Sequence, residues 1–447
     1  MLKKKYLLLC LIIFAVLIAA CKSKNSTTNP SSDPTVTGMY FYANDSIPAL
    51  ESATFIVEAG SDTGRIYNPD SLACGTKIDK VVPRLTFNHT PAAAIFFSAN
   101  DTISWQGSDT IDFTLRPTLL HVIAEDETTD KWYKIYVNVH NIDPDIIVWQ
   151  QLSDDIYPTA GAEQKAFWFK NQIVIFVNDG IDNSLYVSTD GVSWQEKTPA
   201  GLPDNCFVRQ IIKSKDQLCY VTDNTFYYTE DAENWQTYSL SSDYIMLNLL
   251  FDFRDTIWGI ATDNVNREQL YLMRSTTGES WQMISEVDAT RFPVSDFATT
   301  CFQTATGRHR AMVIGGFTLD GAPLNSRWNL EYSNERGYRW TNFSDEKIAF
   351  DYVTGAAITY YGNSFLLFGG ADADNQINPY QMLVSQDEGM HWQQADTTKN
   401  KLPDTYSIRT KQSVFLDDNG YIYVVGGQSR TEVFSDIYRG RLNSIDW

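Results

Sequence analysis

A turn that ends in tryptophan recurs in the C-terminal two thirds of this chain, about every 40 to 60 residues. Each copy follows an apolar segment and carries Ser or Thr, then polar residues, often a Gly, and finally Trp. A repeat of this length accommodates one four-stranded sheet, and several such sheets stack radially as a β-propeller. The repeat residues to which we assign a structural role are Asp190, Trp194, Asp231, Trp235, Trp281, Trp340, Asp387 and Trp392.

Each turn has a simple physical logic. Asp190 can accept hydrogen bonds from backbone N–H groups of its own turn, Gly191 can adopt positive φ, and Trp194 can bury its ring between sheets. The pattern S-x-D-x-G-x-x-W at 385–392 resembles the Asp-box repeat of sialidase-like propellers. In those proteins the Asp box is structural, so the resemblance implies a propeller and no ligand at the turns.

A second repeat consists of two glycines at the end of an apolar strand, at 315–316, 369–370 and 426–427. It resembles the kelch repeat, whose glycines let strand backbones pack closely near the centre of a propeller. Both resemblances imply the same fold, and a fold alone does not identify a function.

The repeats predict six blades. Five carry the tryptophan turns, and a sixth group of strands follows Trp392 without a tryptophan turn of its own. The segment 148–152 around Trp149 matches the segment that contains Trp392, and it lies in phase with Trp194. We therefore expect this N-terminal strand to complete the last blade, with Trp149 as a further structural repeat residue, because closure removes the exposed edges of an open ring.

The N-terminus resembles a bacterial lipoprotein signal. Basic residues at 3–5 precede an apolar segment, and small residues precede Cys21. The resemblance implies cleavage before Cys21 and lipidation of its thiol. The apolar segment has about 15 residues, fewer than the roughly 20 that a spanning helix needs. Residues 1–20 are thus expected to be the signal peptide, and 21–35 the lipidated Cys with a flexible tether.

Two folded domains are expected after the tether, a β-sandwich at 36–145 and the six-bladed β-propeller at 146–447, so the fold class is all-β. Near the end of the first domain, 119–139 contains two alternating strands around an acidic turn, which predicts a hairpin. It resembles the closing hairpin of cadherin-like or immunoglobulin-like bacterial modules. A calcium site and a solvated turn are both open interpretations for Glu125, Asp126 and Glu127.

The net charge of the chain disfavours two classes of partner. The chain has 55 acidic and 35 basic residues, and its net charge of −20 disfavours nucleic acid and anionic lipid surfaces.

Cys206 and Cys219 flank a predicted hairpin that would place Cys219 opposite Gln210, so no disulfide is expected. Histidines lack metal-ligand spacing, and no cofactor fingerprint is present. We therefore expect no metal, no cofactor and no recognisable catalytic residue.

A ligand is expected on the face of the propeller that carries the longest loops. If the strands of a blade are a to d in order, the b–c and d–a connections share one face, opposite the tryptophan turns. Trp328 is our first candidate for an aromatic platform, with Arg327 and Arg430 as polar contacts; in the alternative, Trp328 merely begins a strand and packs between blades. Further candidates on these loops are Arg267, Arg291, Asp320, Asn325, Asp372, Asp374 and Asn375.

The overall layout resembles lipoproteins of gut-type Bacteroidetes. The resemblance implies a non-catalytic binding module for a glycan or a protein in the cell envelope. Lipid would tether the module to the outer membrane, and both the periplasmic and the surface side of that membrane stay open. A scaffold within an envelope assembly and a sialidase-like glycoside hydrolase are the alternatives, so whether the chain is an enzyme stays open. The hydrolase would need three arginines around a substrate carboxylate, for which the sequence offers Arg209, Arg291 and Arg409.

Overall fold

A computed structural model of the protein describes residues 29–443, apart from 43, 45, 52, 99, 100, 305 and 344–353. The predicted signal peptide, Cys21 and most of the tether therefore lie outside the described residues. The described chain is built of strands, with two 3₁₀ turns at Pro48–Leu50 and Val208–Gln210. None of its helices is long and apolar enough to cross a bilayer. It divides into two compact units, and the boundary in the chain lies between Asp143 and Pro144.

The N-terminal unit is a β-sandwich. Its strands are β1 (Val36–Phe41), β2 (Ile56–Glu58), β3 (Thr63–Tyr67), β4 (Pro83–Phe87), β5 (Ala93–Phe97), β6 (Thr102–Ser104), β7 (Thr118–Ile123) and β8 (Asp130–Tyr136). One sheet pairs β1 with β4, and the other has the order β2-β3-β8-β7-β5-β6. Side chains alternate in and out along β7, and Phe96, Leu120 and Tyr133 lie at the centre of the core.

The predicted hairpin of this unit is confirmed, because β7 and β8 pair antiparallel around the acidic turn. Asp126 accepts hydrogen bonds from the backbone N–H groups of Thr128 and Thr129, and these bonds lower the pKa of its carboxyl to about 2. Glu125 accepts a hydrogen bond from the Ser31 N–H. In the part of the chain that the structure describes, no group of three or more His, Cys, Asp or Glu side chains could hold a metal ion.

The C-terminal unit is a propeller of six four-stranded antiparallel sheets. In chain order, its strands are β9 (Ile147–Ser153), β10 (Glu163–Phe169), β11 (Gln172–Asn178), β12 (Asn183–Ser188), β13 (Gln195–Lys197), β14 (Ile212–Ser214), β15 (Gln217–Thr222), β16 (Thr225–Thr229), β17 (Gln236–Ser239), β18 (Tyr244–Asp252), β19 (Ile257–Asp263), β20 (Leu270–Ser275), β21 (Gln282–Val287), β22 (Ala298–Gln303), β23 (His309–Ile314), β24 (Arg327–Ser333), β25 (Gly337–Asn342), β26 (Ala357–Tyr361), β27 (Ser364–Phe368), β28 (Met382–Ser385), β29 (Gln393–Gln394), β30 (Ser413–Leu416), β31 (Ile422–Gln428) and β32 (Val433–Leu442). Blades 1 to 5 take successive groups of four strands from β10 to β29, and blade 6 has the order β30-β31-β32-β9.

The ring closes as the sequence predicts. β9 pairs antiparallel with β32 and places Trp149 opposite Gly440. The absence of a side chain at Gly440 makes room for the indole, since a Cβ there would lie 2.6 Å from the ring. Trp149 also meets Phe368 of blade 5 edge to face, with ring centroids 6.2 Å apart. The first strand of the propeller thus completes its last blade.

The tryptophan turns join strand c to strand d. Asp190 accepts hydrogen bonds from the N–H groups of Val192 and Ser193, both at 2.8 Å. In the fifth blade, Asp387 accepts a hydrogen bond from the His391 N–H, and the Trp392 indole donates to the Gly389 carbonyl. Each of these acids is therefore used by its own turn.

The structure corrects the register of one hairpin. Ser214 pairs with Gln217, so the turn occupies 215–216 and Cys219 lies opposite Ile212, not opposite Gln210. The prediction was wrong because the turn lies one residue later in the chain than the predicted register requires. Cys206 and Cys219 are both buried free thiols, and burial raises the pKa of each to about 12.

Each glycine pair lies at the end of strand b, beside the segment that precedes strand a of the same blade. At Gly316, φ is +91° and a Cβ would lie 2.6 Å from the Ser295 carbonyl oxygen, so only glycine permits this approach. The same backbone bridge forms in blades 4, 5 and 6, between a residue after each glycine pair and a residue that precedes strand a. The bridged pairs are Ser295 with Phe317, Thr354 with Ala371 and Thr410 with Gln428.

Candidate functional site

A recess of about 390 Å³, which we call the central cavity, is lined by residues of the innermost strands of the propeller. All six blades contribute to its wall, mostly through the first residues of strand a and the residues before that strand. The cavity therefore lies at the end of the channel where the d–a connections enter. The lining segments are 163–165, 207–212, 248–250, 295–299, 356–358 and 411–414.

Two ion pairs between blades lie in the wall of the central cavity. Arg209 of blade 2 meets Asp296 of blade 4, with Nη1 and Oδ1 3.0 Å apart. Lys411 of blade 6 meets Glu163 of blade 1, with Nζ and Oε1 3.2 Å apart. Both pairs are partly exposed, so water weakens their attraction, and each pair cancels its own charge.

A fifth charged side chain, Lys165, gives the central cavity an excess positive charge. It lies on the same strand as Glu163, and no acidic side chain of the described chain forms an ion pair with it. Burial, followed by the positive charge of Arg209, lowers the pKa of Lys165 to about 8. Lys165 is half-buried and its ammonium has no ion-pair partner among the described residues, so the cavity is poised to accept a negative charge.

Two amide side chains in the wall also have unused acceptors. Asn248 is 4 % exposed, and its Nδ2 donates to the Val294 carbonyl. Gln412 is 5 % exposed, and its Nε2 donates to the Phe368 carbonyl. Asn248 Oδ1 and Gln412 Oε1 are buried and have no hydrogen-bond partner among the described atoms. Both oxygens are closed to solvent, so a molecule in the central cavity cannot reach them, and their missing hydrogen bonds are a cost of the fold.

The local backbone explains why Asn248 reaches the wall. The pairing between β18 and β19 shifts register on both sides of it, between Met246 and Asn248 and between Leu249 and Phe251. Such bulges re-aim side chains relative to a regular strand. Asn248 is thus a polar residue at a bulged position in an otherwise apolar innermost strand.

Trp328, the first candidate from the sequence, lies at the start of β24 and is half-buried. Its ring packs against Phe292 with centroids 5.1 Å apart, and its indole N–H donates to the Arg291 carbonyl at 2.9 Å. These contacts correspond to the packing alternative that the sequence left open. The residue keeps part of its surface accessible to solvent.

The structure corrects the role of Arg327. This side chain is 1 % exposed, and its guanidinium donates to the carbonyls of Gly389, Met390 and Phe343. The sequence placed it in a surface loop, whereas it is the first residue of β24 and points into the protein. Arg327 therefore ties blade 4 to the tryptophan turn of blade 5 and is not available to a ligand.

Among the other loop candidates, Arg430 and Asn375 are brought together. Both are exposed, and the Arg430 guanidinium donates to the Asn375 carbonyl at 3.2 Å, which connects the b–c loops of blades 5 and 6. Asp372 accepts hydrogen bonds from the N–H groups of Asp374 and Gln376 and shapes its own loop.

The remaining loop candidates do not converge on one site. Arg267 and Asp320 are exposed, and Asp320 accepts a hydrogen bond from the Thr318 hydroxyl, which lowers the pKa of its carboxyl. Arg291 and Asn325 are half-buried. Asp374 is exposed at the tip of its loop. These side chains lie on four loops, of which Asp320 and Asn325 share one, and none of them lines the central cavity.

The three arginines considered for a carboxylate triad are also separated. Arg209 lines the central cavity, whereas Arg291 does not. Arg409 is fully buried and bound to Asp436. Arg409 therefore cannot reach a substrate in this arrangement, and these three residues form no triad.

Sequence reasoning missed most of the central cavity. Arg209 was noted as an early residue of an innermost strand, but Glu163, Lys165, Asn248 and Lys411 were not singled out. One signal could have identified them, since each is a polar residue in or just before strand a of a blade, where apolar residues predominate. The blades must be aligned before that common position becomes visible.

Comparison with known proteins supports the two-part organisation. Residues 143–447 match the family described as "DUF6242 beta propeller domain", and residues 19–137 match "Domain of unknown function (DUF6242) N-terminal domain". No curated protein matches the sequence. One solved structure, titled "Structure of YjhT", shares 10% sequence identity, covers 64% of this chain and 95% of its own, and has a TM-score of 0.40.

Proposed function

This chain belongs to the DUF6242 family, and we propose that it is a cell-envelope lipoprotein whose propeller binds a ligand without catalysis, at the central cavity and the loops around it. The observation that carries the proposal is the charge of the cavity wall. Lys165 forms no ion pair among the described residues, whereas the other four charged side chains of the wall form two pairs. A bound anion would compensate the charge of Lys165.

The surrounding loops suit an extended ligand such as a glycan or a segment of an envelope protein. Exposed polar side chains, among them Arg267, Asp320 and Arg430, lie on b–c loops of different blades. Loops on a rigid scaffold are common recognition surfaces. We infer that the central cavity takes the end of the ligand and that the loops, with the exposed part of Trp328, contact the rest.

The repeats have a structural role in this proposal. The Asp-box-like turns use Asp190 and Asp387 to bind their own backbone. The kelch-like glycines allow the bridges beside the central cavity. Neither repeat offers a free functional group, which supports placing recognition in the cavity and the opposite loops.

The lipid anchor follows from the N-terminal sequence. Basic residues, an apolar segment and small residues precede Cys21, and a polar segment follows it. We infer that lipid on Cys21 tethers the protein to the outer membrane, so that ligand binding takes place at the membrane surface.

Binding of the full-length chain in mild detergent to a glycan array tests the proposal. We expect at least one glycan to bind and its binding to fall at least tenfold in Ala357→Phe, which fills the central cavity. Trp328→Ala serves as the comparison, because it removes a loop contact and leaves the cavity open. Binding that survives Ala357→Phe in a folded protein would place recognition outside the cavity and refute the proposal.

A further inference from the structure

We propose that the central cavity selects a small carboxylic acid, whose carboxylate lies against Lys165 and Arg209. This inference rests on the proposed function, because it names the chemical class of ligand for the same cavity.

The charge of the wall indicates a single negative charge on the ligand. Arg209 with Asp296 and Lys411 with Glu163 are balanced pairs, so Lys165 is the one uncompensated charge among the five that line the cavity. A monoanion completes the balance. A dianion such as phosphate would exceed it and would also meet the two wall carboxylates, Glu163 and Asp296, at short range.

The volume of the central cavity indicates the size of the ligand. Small-molecule sites commonly have volumes of about 300 to 1,000 Å³, and the 390 Å³ of the central cavity lies at the small end of that range. A single sugar acid carries one carboxylate and has a suitable size.

Lys165 also predicts how binding depends on pH. The charged groups that line the cavity with it are Glu163 on its own strand, Arg209, Asp296 and Lys411. Burial and Arg209 hold the pKa of Lys165 at about 8 in the empty cavity, and a bound carboxylate would raise it. Below pH 8 the ammonium is already charged. Above pH 8 binding must take up a proton, so affinity falls by up to about tenfold per pH unit.

Isothermal titration calorimetry on the full-length chain tests the inference. The probes are D-glucuronate, D-galacturonate and D-gluconate, each measured against its neutral counterpart, D-glucose, D-galactose or D-glucitol. We expect at least one acid to bind at least tenfold more tightly than its neutral counterpart, and to lose affinity between pH 8 and pH 10. Acids that bind no more tightly than the neutral compounds would overturn the inference.

Two variants test whether Lys165 causes the preference for acids. Lys165→Met removes the charge from the cavity and should abolish both the preference for acids and its pH dependence. Lys170→Met removes the same charge from an exposed turn of the same blade and should leave both unchanged. Thermal unfolding checks that each variant is folded. An unchanged acid preference in folded Lys165→Met would refute the assigned contact.

The outcomes separate this inference from the proposed function. If a neutral glycan binds, Ala357→Phe abolishes its binding and acids show no advantage, the binding function stands and the inference on ligand class fails. If neither the array nor the acids show binding, both fail. Inorganic phosphate provides a further arm, and phosphate binding as tight as that of the sugar acids would contradict the preference for a single negative charge.

Discussion

Arg409 and Asp436 form a buried two-point ion pair in the last blade. Both guanidinium nitrogens Nη1 and Nη2 donate to the carboxylate, the latter at 3.0 Å, and the Arg409 side chain is wholly inaccessible. The guanidinium also lies over the Phe434 ring, 3.8 Å from its centroid, and donates to the Ser407 carbonyl. The pair thus connects β32 to the loop that enters β30.

Removing the charge of Asp436 should destabilise the protein strongly. Asp436→Asn leaves Arg409 buried without a counter-ion, and we expect a loss of about 3–5 kcal/mol in the free energy of unfolding by urea denaturation. Asp404→Asn is the matched control, because Asp404 pairs with Lys401 in an exposed position and should cost less than about 1 kcal/mol. Equal costs for the two variants would contradict this assignment.

A second prediction concerns the close approach at Gly316. Gly316→Ala should destabilise the protein more than Gly321→Ala, although both glycines have positive φ. A Cβ at Gly316 would lie 2.6 Å from the Ser295 carbonyl, whereas one at Gly321 meets nothing within 4 Å. Backbone strain alone costs about 1–2 kcal/mol, so Gly321→Ala should show that cost and Gly316→Ala a larger one in the same urea titration. Indistinguishable variants would show that the bridge to Ser295 is dispensable.

The tryptophan turns should make stability depend on acid pH. Hydrogen bonds from the Ser193 and Val192 N–H groups lower the pKa of Asp190 to about 2 in the folded state. Its contribution to stability is therefore present above about pH 4 and is lost as pH falls through 2. Asp190→Ala should lower the urea midpoint at pH 7 and converge on the wild-type value near pH 2. Asp216→Ala, which alters an exposed acid in the hairpin turn of blade 2, is the control and should track the wild type at every pH.

Lipidation of Cys21 is a prediction from sequence alone. In a bacterial host, metabolic labelling with a palmitate analogue should mark the wild-type protein and fail in Cys21→Ala. Cys10→Ala provides the control, because Cys10 lies in the apolar part of the predicted signal peptide. Label that persists in Cys21→Ala would show that the lipobox interpretation is wrong.

Local repeats made the fold predictable, whereas the site depends on residues that are distant in sequence. The match between the segments around Trp149 and Trp392 predicted closure of the ring, and β9 pairs with β32 accordingly. By contrast, Glu163 and Lys411 form an ion pair, although most of the propeller sequence lies between them. No local pattern reports such a contact, so the central cavity could not be assembled before the blades were aligned in space.

Single side chains were misjudged for a related reason. Loop sequences around Arg327 are polar, which suggested exposure, but exposure depends on the neighbouring blade. The turn at Gly389 and Met390 supplies carbonyl partners that bury the guanidinium. The register error at Cys219 was local instead, because the turn lies one residue later in the chain than the predicted register requires, and the pairing follows from its position.

The pairing of β9 with β32 also imposes an order on biosynthesis. β9 leaves the ribosome before every other strand of the propeller, but its partner emerges after all the others. Until then β9 and the growing edge of the ring remain unpaired strands, which are prone to associate with other chains. Loss of β32 would leave edges exposed at both β9 and β31, at opposite ends of the propeller sequence. The ring can therefore close only after the chain has been synthesised through β32, because a shorter chain lacks the strand that pairs with β9.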